Sequence, residues 1–333
     1  MSTTMSRELP TCQLIATGGT IAMKVDPVRN GPVPALTGEE LLQRVPGLSG
    51  VAKLEVHNLS NVPSDYMGPE RWVALQRAVS DALRRDEIAG VVVSHGTDTL
   101  EETAWFLDLT VSGSKPVILI GAQRNASDPD FDGPRNLLSG VRVCVSREAR
   151  DKGTMVVLNN QINAARDVTK THTSDVEAFK SGDFGFLGTV DDDRVVFSRA
   201  PTRRQHLALT SEVLPRVDIV AMYGGADGEQ VRAAVERGAR GIVVQALGWG
   251  NVNIEMHEAV KEAIRAGVAL AISTRVLHGR VRPLYGFFGG GKTLKEAGAI
   301  FADDLSPQKA RILLMLALQA SRTPEEIQRV FDR

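Results

Sequence analysis

Short runs of apolar residues recur along this chain and alternate with longer stretches in which apolar positions fall three or four apart. In the first half the short runs are Cys12 to Ala16, Leu54 to Leu59, Gly90 to Ser94, Pro116 to Ile120 and Thr154 to Leu158. Their length and near-continuous apolar character predict strands buried on both faces. Between them, Glu70 to Arg85 sets Val73, Ala74, Arg77, Val79 and Leu83 near helical spacing, and Pro134 to Arg150 behaves alike behind a proline suited to a first helical turn. This strand–helix alternation predicts an α/β fold, a mostly parallel sheet flanked by helices on both faces.

After Thr189 the pattern breaks into a charged, hairpin-like stretch, Asp191-Asp192-Asp193-Arg194, and then a polar segment from Arg199 to Ser211 containing Pro201 and Arg203-Arg204. Beyond it, Val217 to Met222, Gly241 to Ala246 and Val268 to Ile272 predict three more strands, alternating with helices. The last helix opens on Thr323-Pro324-Glu325-Glu326, a capping-box pattern. The expected organisation is a larger N-terminal α/β domain over residues 1–198, a linker over 199–215 and a smaller C-terminal α/β domain over 216–333. A length of 333 residues, beyond the size at which single cores stop growing, agrees with two domains.

Composition narrows the function classes. Apolar residues at 43%, charged residues at 24% and a net charge of -1 leave no electrostatic footprint for nucleic acid or an anionic membrane. The histidines show no HxxxH or HExxH spacing, and Cys12 and Cys144 sit in apolar segments without a CxxC pattern, so buried free thiols and no metal are expected. Residues 1–8 lack the apolar stretch of a secretory signal and no run of 18 apolar residues occurs, which reads as a cytoplasmic protein acting on a small molecule.

Open parallel sheets bind ligands beyond the carboxyl ends of their strands. Three such ends are chemically loaded: Thr17-Gly18-Gly19-Thr20, His95-Gly96-Thr97-Asp98-Thr99 and Gly121-Ala122-Gln123-Arg124. Glycines let backbone N–H groups approach a ligand, as an oxyanion site requires, and threonines supply hydroxyls. A hydroxyl needs a base to become a nucleophile. Lys170, in Arg166-Asp167-Val168-Thr169-Lys170-Thr171, is the candidate, with Asp98 to hold it. Taken one motif at a time, the same residues also read as helix-capping Thr and Asp with a solvated lysine.

Together the motifs carry more. Thr17-Gly18-Gly19-Thr20-Ile21-Ala22, the run His95 to Val111 (HGTDTLEETAWFLDLTV), Asp132-Gly133-Pro134 with Asn136-Leu137, Arg166 to Ser181 (RDVTKTHTSDVEAFKS) and Pro307 to Leu318 (PQKARILLMLAL) resemble the bacterial L-asparaginase family, in order and over nearly the whole chain. The resemblance implies double-displacement hydrolysis of a side-chain amide, with Thr20 as attacking residue and an acyl-enzyme intermediate. It implies Thr97, Asp98 and Lys170 as the second catalytic group, and backbone groups near Thr97 and Ala122 as the oxyanion site. Gly19 and Gly96 are expected beside the substrate. It further implies that Asn251 serves a neighbouring subunit's site, that the chain self-associates into dimers or tetramers, and that no metal or organic cofactor is used.

The chain also departs from that family. A tyrosine normally follows the first threonine on a mobile loop, yet residues 21–45 contain none; the loop, with Pro27, Gly31, Pro32 and Pro34, is expected to be a lid with few stable contacts. Tyr285 is the candidate replacement, a structural tyrosine being the other reading. Ser64-Asp65 stands where the family clamps substrate with serine and glutamine or glutamate, and nothing acidic between Glu262 and Glu296 matches the glutamate a neighbouring subunit donates. The expected substrate is L-asparagine; the alternatives are D-asparagine, glutamine or another β-amide, or binding of an amino acid without turnover. Gly286 to Thr293 spells the phosphate-loop pattern GxxxxGKT, but Pro283 interrupts its approach and little chain follows, so a Gly-rich surface loop is expected rather than a nucleotide site.

Overall fold

A computed structural model describes residues 8–321 and 323–333. Of the N-terminal segment read above as lacking a signal, residues 1–7 lie outside the described residues. The chain divides into two compact units, Met1–His206 and Leu207–Arg333, so the division falls inside the stretch read as a linker.

In the first unit, β1 (Thr11–Gly18) leads into a hairpin of β2 (Met23–Asp26) and β3 (Gly31–Pro34), then α1 (Gly38–Leu42) and β4 (Lys53–Val62). The alternation continues through α2 (Pro69–Leu83), β5 (Ile88–Ser94), α3 (Leu100–Thr110), β6 (Val117–Ile120), α4 (Gly133–Val145) and β7 (Thr154–Leu158). Short strands follow: β8 (Gln161–Ala164), β9 (Thr169–Lys170), β10 (Phe179–Lys180), β11 (Gly188–Val190) and β12 (Val195–Phe197).

One sheet takes the order β12-β11-β8-β7-β6-β5-β1-β4. From β4 to β7 it is parallel, as the apolar runs predict; β8, β11 and β12 extend it antiparallel, which they do not. The reversal from β7 to β8 is made by Asn159 and Asn160, both left-handed at φ 47° and 61°, a conformation asparagine tolerates and two-residue hairpins require. On one face, Cys12, Leu14, Val92 and Ile118 pack against Leu137, Val141 and Cys144 of α4. Both cysteines are free and buried. Helices α2 and α3 pack on each other, with the Trp72 and Phe106 rings 5.6 Å apart, and α3 is buried almost all round its circumference. A helix so enclosed is held by packing on every side.

The expected loosely held lid is corrected by the structure. Residues 23–34 form the β2–β3 ribbon, paired from Met23↔Pro34 to Asp26↔Gly31, and it is tied down by Val25 N–H to Ser127 Oγ (3.0 Å) and Ala126 N–H to the Met23 carbonyl (2.9 Å). Asp26 Oδ1 accepts from the N–H of Val28 and Arg29 at the tip. Prolines marked this segment as a loop, but Pro32 and Pro34 are tolerated because a two-stranded ribbon consists only of edges.

The second unit is a four-stranded parallel sheet, β13 (Val217–Ala221), β14 (Gly241–Ala246), β15 (Ala269–Thr274) and β16 (Ile300–Phe301), in that order. Among the described residues, five helices accompany it: α5 (Glu229–Glu236), α6 (Ile254–Arg265), α7 (Gly291–Glu296), α8 (Pro307–Ala320) and α9 (Pro324–Phe331). Thr323 and Glu326 make the capping box that opens α9. Between Thr274 and Gly291 no strand forms, so Gly286 to Thr293 lacks the strand a phosphate loop needs; the Thr293 hydroxyl closes the loop on the Phe287 and Gly290 carbonyls. Among the described residues, no helix is long and apolar enough to cross a membrane.

Candidate active site

The chain leaves β1 for β4 on one side of the sheet while β5 pairs on the other, so the strand order reverses at β1, and in open sheets that is where a ligand crevice lies, beyond the carboxyl ends of β1 and β5. Two glycine turns meet there. Gly18 and Gly19 have φ of 105° and 84°, and the N–H of Gly19 donates to the Val62 carbonyl at 3.0 Å. A Cβ on Gly19 would collide with the backbone of Gly96, and one on Gly96 would lie 2.8 Å from Ser64 Cβ. Three strand ends, β1, β5 and β4, therefore pack backbone to backbone around Gly19, Gly96 and Ser64. Since the Gly19 N–H is already engaged, Gly19 contributes closeness of approach and not an oxyanion donor. Among the described residues, the N–H groups of Gly96, Thr97 and Ala122 donate no hydrogen bond, and those of Thr97 and Ala122 are the pair expected to face an oxyanion.

Thr20 begins a single 3-10 turn, Thr20–Ala22, directly after this contact, half-buried. Its hydroxyl has no protein partner among the described residues. Thr97 is wired: its buried hydroxyl donates to Gln123 Oε1 at 3.2 Å and accepts from Lys170 Nζ at 2.9 Å. Lys170 Nζ also donates to Asp98 Oδ1 at 2.6 Å, with the lysine side chain 15% exposed and the aspartate 63%. A hydroxyl, an amine and a solvent-facing carboxylate thus stand in one hydrogen-bonded series. Lys170 lies on β9, beyond β8.

Other residues, unassigned by sequence reasoning, hold this series in place. Gln123 Nε2 donates to the Asp175 carbonyl at 3.0 Å, which turns Oε1 toward Thr97. Asp132 accepts from the N–H of Gln123 and Arg124, holding the turn after β6. Glu101 Oε2 accepts from the Thr169 hydroxyl and the Lys170 N–H, both at 2.6 Å. Only position near a strand end marked Gln123, and an acidic residue in a first helical turn is what the helix dipole alone explains.

Beneath the second turn runs a buried relay. Trp72 Nε1 donates to the Thr103 hydroxyl (3.0 Å), which lies 2.9 Å from His95 Nε2, and His95 Nδ1 lies 2.7 Å from the Gly96 carbonyl. Because a carbonyl only accepts, Nδ1 carries the proton and Thr103 donates to Nε2. Burial lowers the His95 pKa to about 4, against the upward pull of the Gly96 bond. The unfolded chain therefore binds more protons than the native one between about pH 6.5 and 4, so the contribution is whole above that window and lost as pH falls through it, about 3 kcal/mol in all. Burial raises Asp108 to about 6, with the opposite slope: there stability falls as pH rises from its unfolded value. Replacing His95 by Gln isolates the first effect. Urea midpoints measured from pH 7 to 4 should fall more steeply for the wild type than for His95→Gln; parallel curves would refute the buried neutral ring.

Ser64 is buried and its carbonyl accepts from the Thr99 hydroxyl at 2.7 Å; Asp65 beside it is exposed, with no cation partner among the described residues. Asn251 and Tyr285 belong to the second unit. Asn251 Oδ1 accepts from the Gly291 N–H at 3.3 Å, and its backbone pairs with Leu247. Tyr285 is 44% exposed, its ring 5.7 Å from that of Phe287. No group of three or more His, Cys, Asp or Glu suited to a metal occurs among the described residues.

Two family models match the chain: Asparaginase, N-terminal, over residues 11–203, and Glutaminase/Asparaginase C-terminal domain, over 216–331. The chain is 37% identical to L-asparaginase 2 of Bacillus subtilis, covering 99% of this chain and 88% of that protein. It is 39% identical to a probable L-asparaginase of Deinococcus radiodurans over 99% of both. Among solved structures, a probable cytoplasmic L-asparaginase from Campylobacter jejuni superposes with a TM-score of 0.89 at 36% identity, covering 97% of this chain and 99% of that one. Matched by both models over both units and by relatives over nearly its full length, the chain belongs to the asparaginase family.

Proposed function

We propose that this protein is an amidohydrolase that releases ammonia from the side-chain amide of asparagine to give aspartate. The observation that carries the reading is the pairing of an open hydroxyl, Thr20, with a wired one, Thr97–Lys170–Asp98, beyond the carboxyl ends of β1 and β5. Thr20 Oγ attacks the amide carbon and a C–O bond forms while the oxygen bears negative charge toward the N–H groups of Thr97 and Ala122. The C–N bond then breaks, and the nitrogen leaves as ammonia with the proton that came from the hydroxyl. Water, deprotonated through Thr97 and Lys170, attacks the ester; Thr20 recovers a proton and aspartate departs. One observation favours exchanged roles: the partners of Lys170 Nζ are Thr97 and Asp98, which makes Thr97 the hydroxyl already beside a base.

Asp65 supports recognition of an α-ammonium group, since it is an exposed carboxylate beside Ser64 and the Gly96 turn. Exposed apolar side chains in the second unit, Trp249, Ile254, Leu284, Tyr285, Phe287 and Phe288, support self-association into dimers or tetramers. A cytoplasmic location agrees with the name of the Campylobacter relative. Ammonia release from L-asparagine, D-asparagine, L-glutamine and a β-amide lacking the amino group tests the substrate. L-Asparagine should be turned over fastest, and loss of the amino group should lower kcat/KM about tenfold to a hundredfold. No ammonia from any of the four would sink the reading.

A further inference from the structure

We infer that Glu101 is a positioning residue that places Lys170 against Thr97 and Asp98; the inference rests on the amidohydrolase reading above. On either side of Lys170 the backbone is held by Val168 N–H to the Ala164 carbonyl (3.1 Å) and Thr171 N–H to the Ala178 carbonyl (2.7 Å), and at Lys170 itself the Glu101 carboxylate takes the N–H. Lys170 stands on β9, two residues long, paired only with the two residues of β10 and separate from the eight-stranded sheet. Such a ribbon is marginal by itself, whereas proton transfer needs heavy atoms within hydrogen-bond reach. Glu101, buried at 8% exposure, supplies the anchor from α3 through one carboxylate oxygen that accepts from the Lys170 N–H and the Thr169 hydroxyl. Charge-assisted bonds of this length are among the stronger ones available to a protein.

The contacts close a ring. Thr97 and Asp98 form the turn that runs into α3, Glu101 sits in the first turn of that helix and grips the Lys170 backbone, and the Lys170 side chain returns to Thr97 and Asp98. Because α3 is packed on nearly every side, the helix is the fixed member and β9 the one being held. Without the grip, β9 keeps its pairing with β10 and the flanking bonds of Val168 and Thr171 but loses its tie to the helix that carries the Thr97 turn, and a displacement of about 1 Å in such a group costs about 10²-fold in rate.

Both bonds end on one oxygen, which gives the test its resolution. A glutamine carbonyl oxygen can accept both, an aspartate falls one methylene short, and an alanine accepts neither. In steady-state ammonia release from L-asparagine, Glu101→Ala should lower kcat about 10²-fold with KM within about twofold, while Glu101→Gln stays close to wild type and Glu101→Asp falls between them. A purely structural role would lower the thermal midpoint and the fraction of active enzyme without ordering kcat in this way. Wild-type kcat in Glu101→Ala, or Glu101→Gln as impaired as Glu101→Ala, overturns the inference. Should the alanine variant not fold, Glu101→Asp no slower than Glu101→Gln overturns it as well. A wild-type protein without turnover overturns the amidohydrolase reading and this inference with it.

Discussion

Thr20→Ala is expected to abolish ammonia release, lowering kcat by roughly 10⁴- to 10⁶-fold, the range seen when the nucleophile or its base is removed from a covalent-catalysis triad. Stability should hardly change. The Thr20 hydroxyl has no protein partner among the described residues, so its loss breaks no internal bond, and the residue is only half-buried. The backbone turn survives because Ala22 N–H still reaches the Gly19 carbonyl at 2.8 Å. The informative comparison is with Thr97→Ala, which removes the hydroxyl that Lys170 and Gln123 bracket. Intact-protein mass spectrometry after rapid mixing with a slow β-amide should show an acyl adduct on wild type and none on Thr20→Ala. An adduct that persists in Thr20→Ala and disappears in Thr97→Ala would transfer the attacking role to Thr97.

Gly19→Ala is expected to be the most damaging single methyl group that can be added at the site. At φ 84° and ψ -179° the backbone is in a region essentially reserved for glycine, where a side chain costs about 1–3 kcal/mol. The added Cβ would also strike the Cα and N of Gly96, which are backbone atoms tied into the end of β5 and cannot rotate away as a side chain would. The two penalties together should exceed about 4 kcal/mol or prevent folding, well outside the usual effect of one substitution. Gly113→Ala is the control: φ is positive there too, at 113°, but nothing lies within 4 Å of the new Cβ, so only the conformational cost of about 1–3 kcal/mol remains. Urea midpoints that are equal for the two variants would show that the Gly19–Gly96 contact yields.

The central parallel strands, β5, β6, β7 and β14, were readable because each is buried on both faces. Burial of that kind leaves a continuous apolar run whatever the neighbours are, as in Val91-Val92-Val93 and Val117 to Ile120. The glycine turns were readable for a related reason: a backbone that approaches another backbone admits no Cβ, and that demand falls on the residue itself. The antiparallel extension was not. Strands β8, β11 and β12 are three or four residues long with mixed polarity, too short for a period to register. The β2–β3 hairpin was hidden by its prolines, which usually mark loops and are harmless only because no further strand pairs outside them.

The residues of the proposed catalytic group divide along the same line. Thr20, Thr97, Asp98 and Lys170 could be singled out because hydroxyl chemistry needs a base and a partner, and the resemblance supplied their roles. What tertiary structure alone decided is which polar atoms meet. Glu101 reaches Lys170 across 69 positions, and Gln123 links Thr97, 26 positions before it, to Asp175, 52 positions after it. Hydrophobic periodicity reports how each residue stands toward the core, a property written locally into the chain. Hydrogen-bond pairing depends on the relative placement of whole elements to within a few tenths of an ångström, and that exists only once the core of this chain has packed.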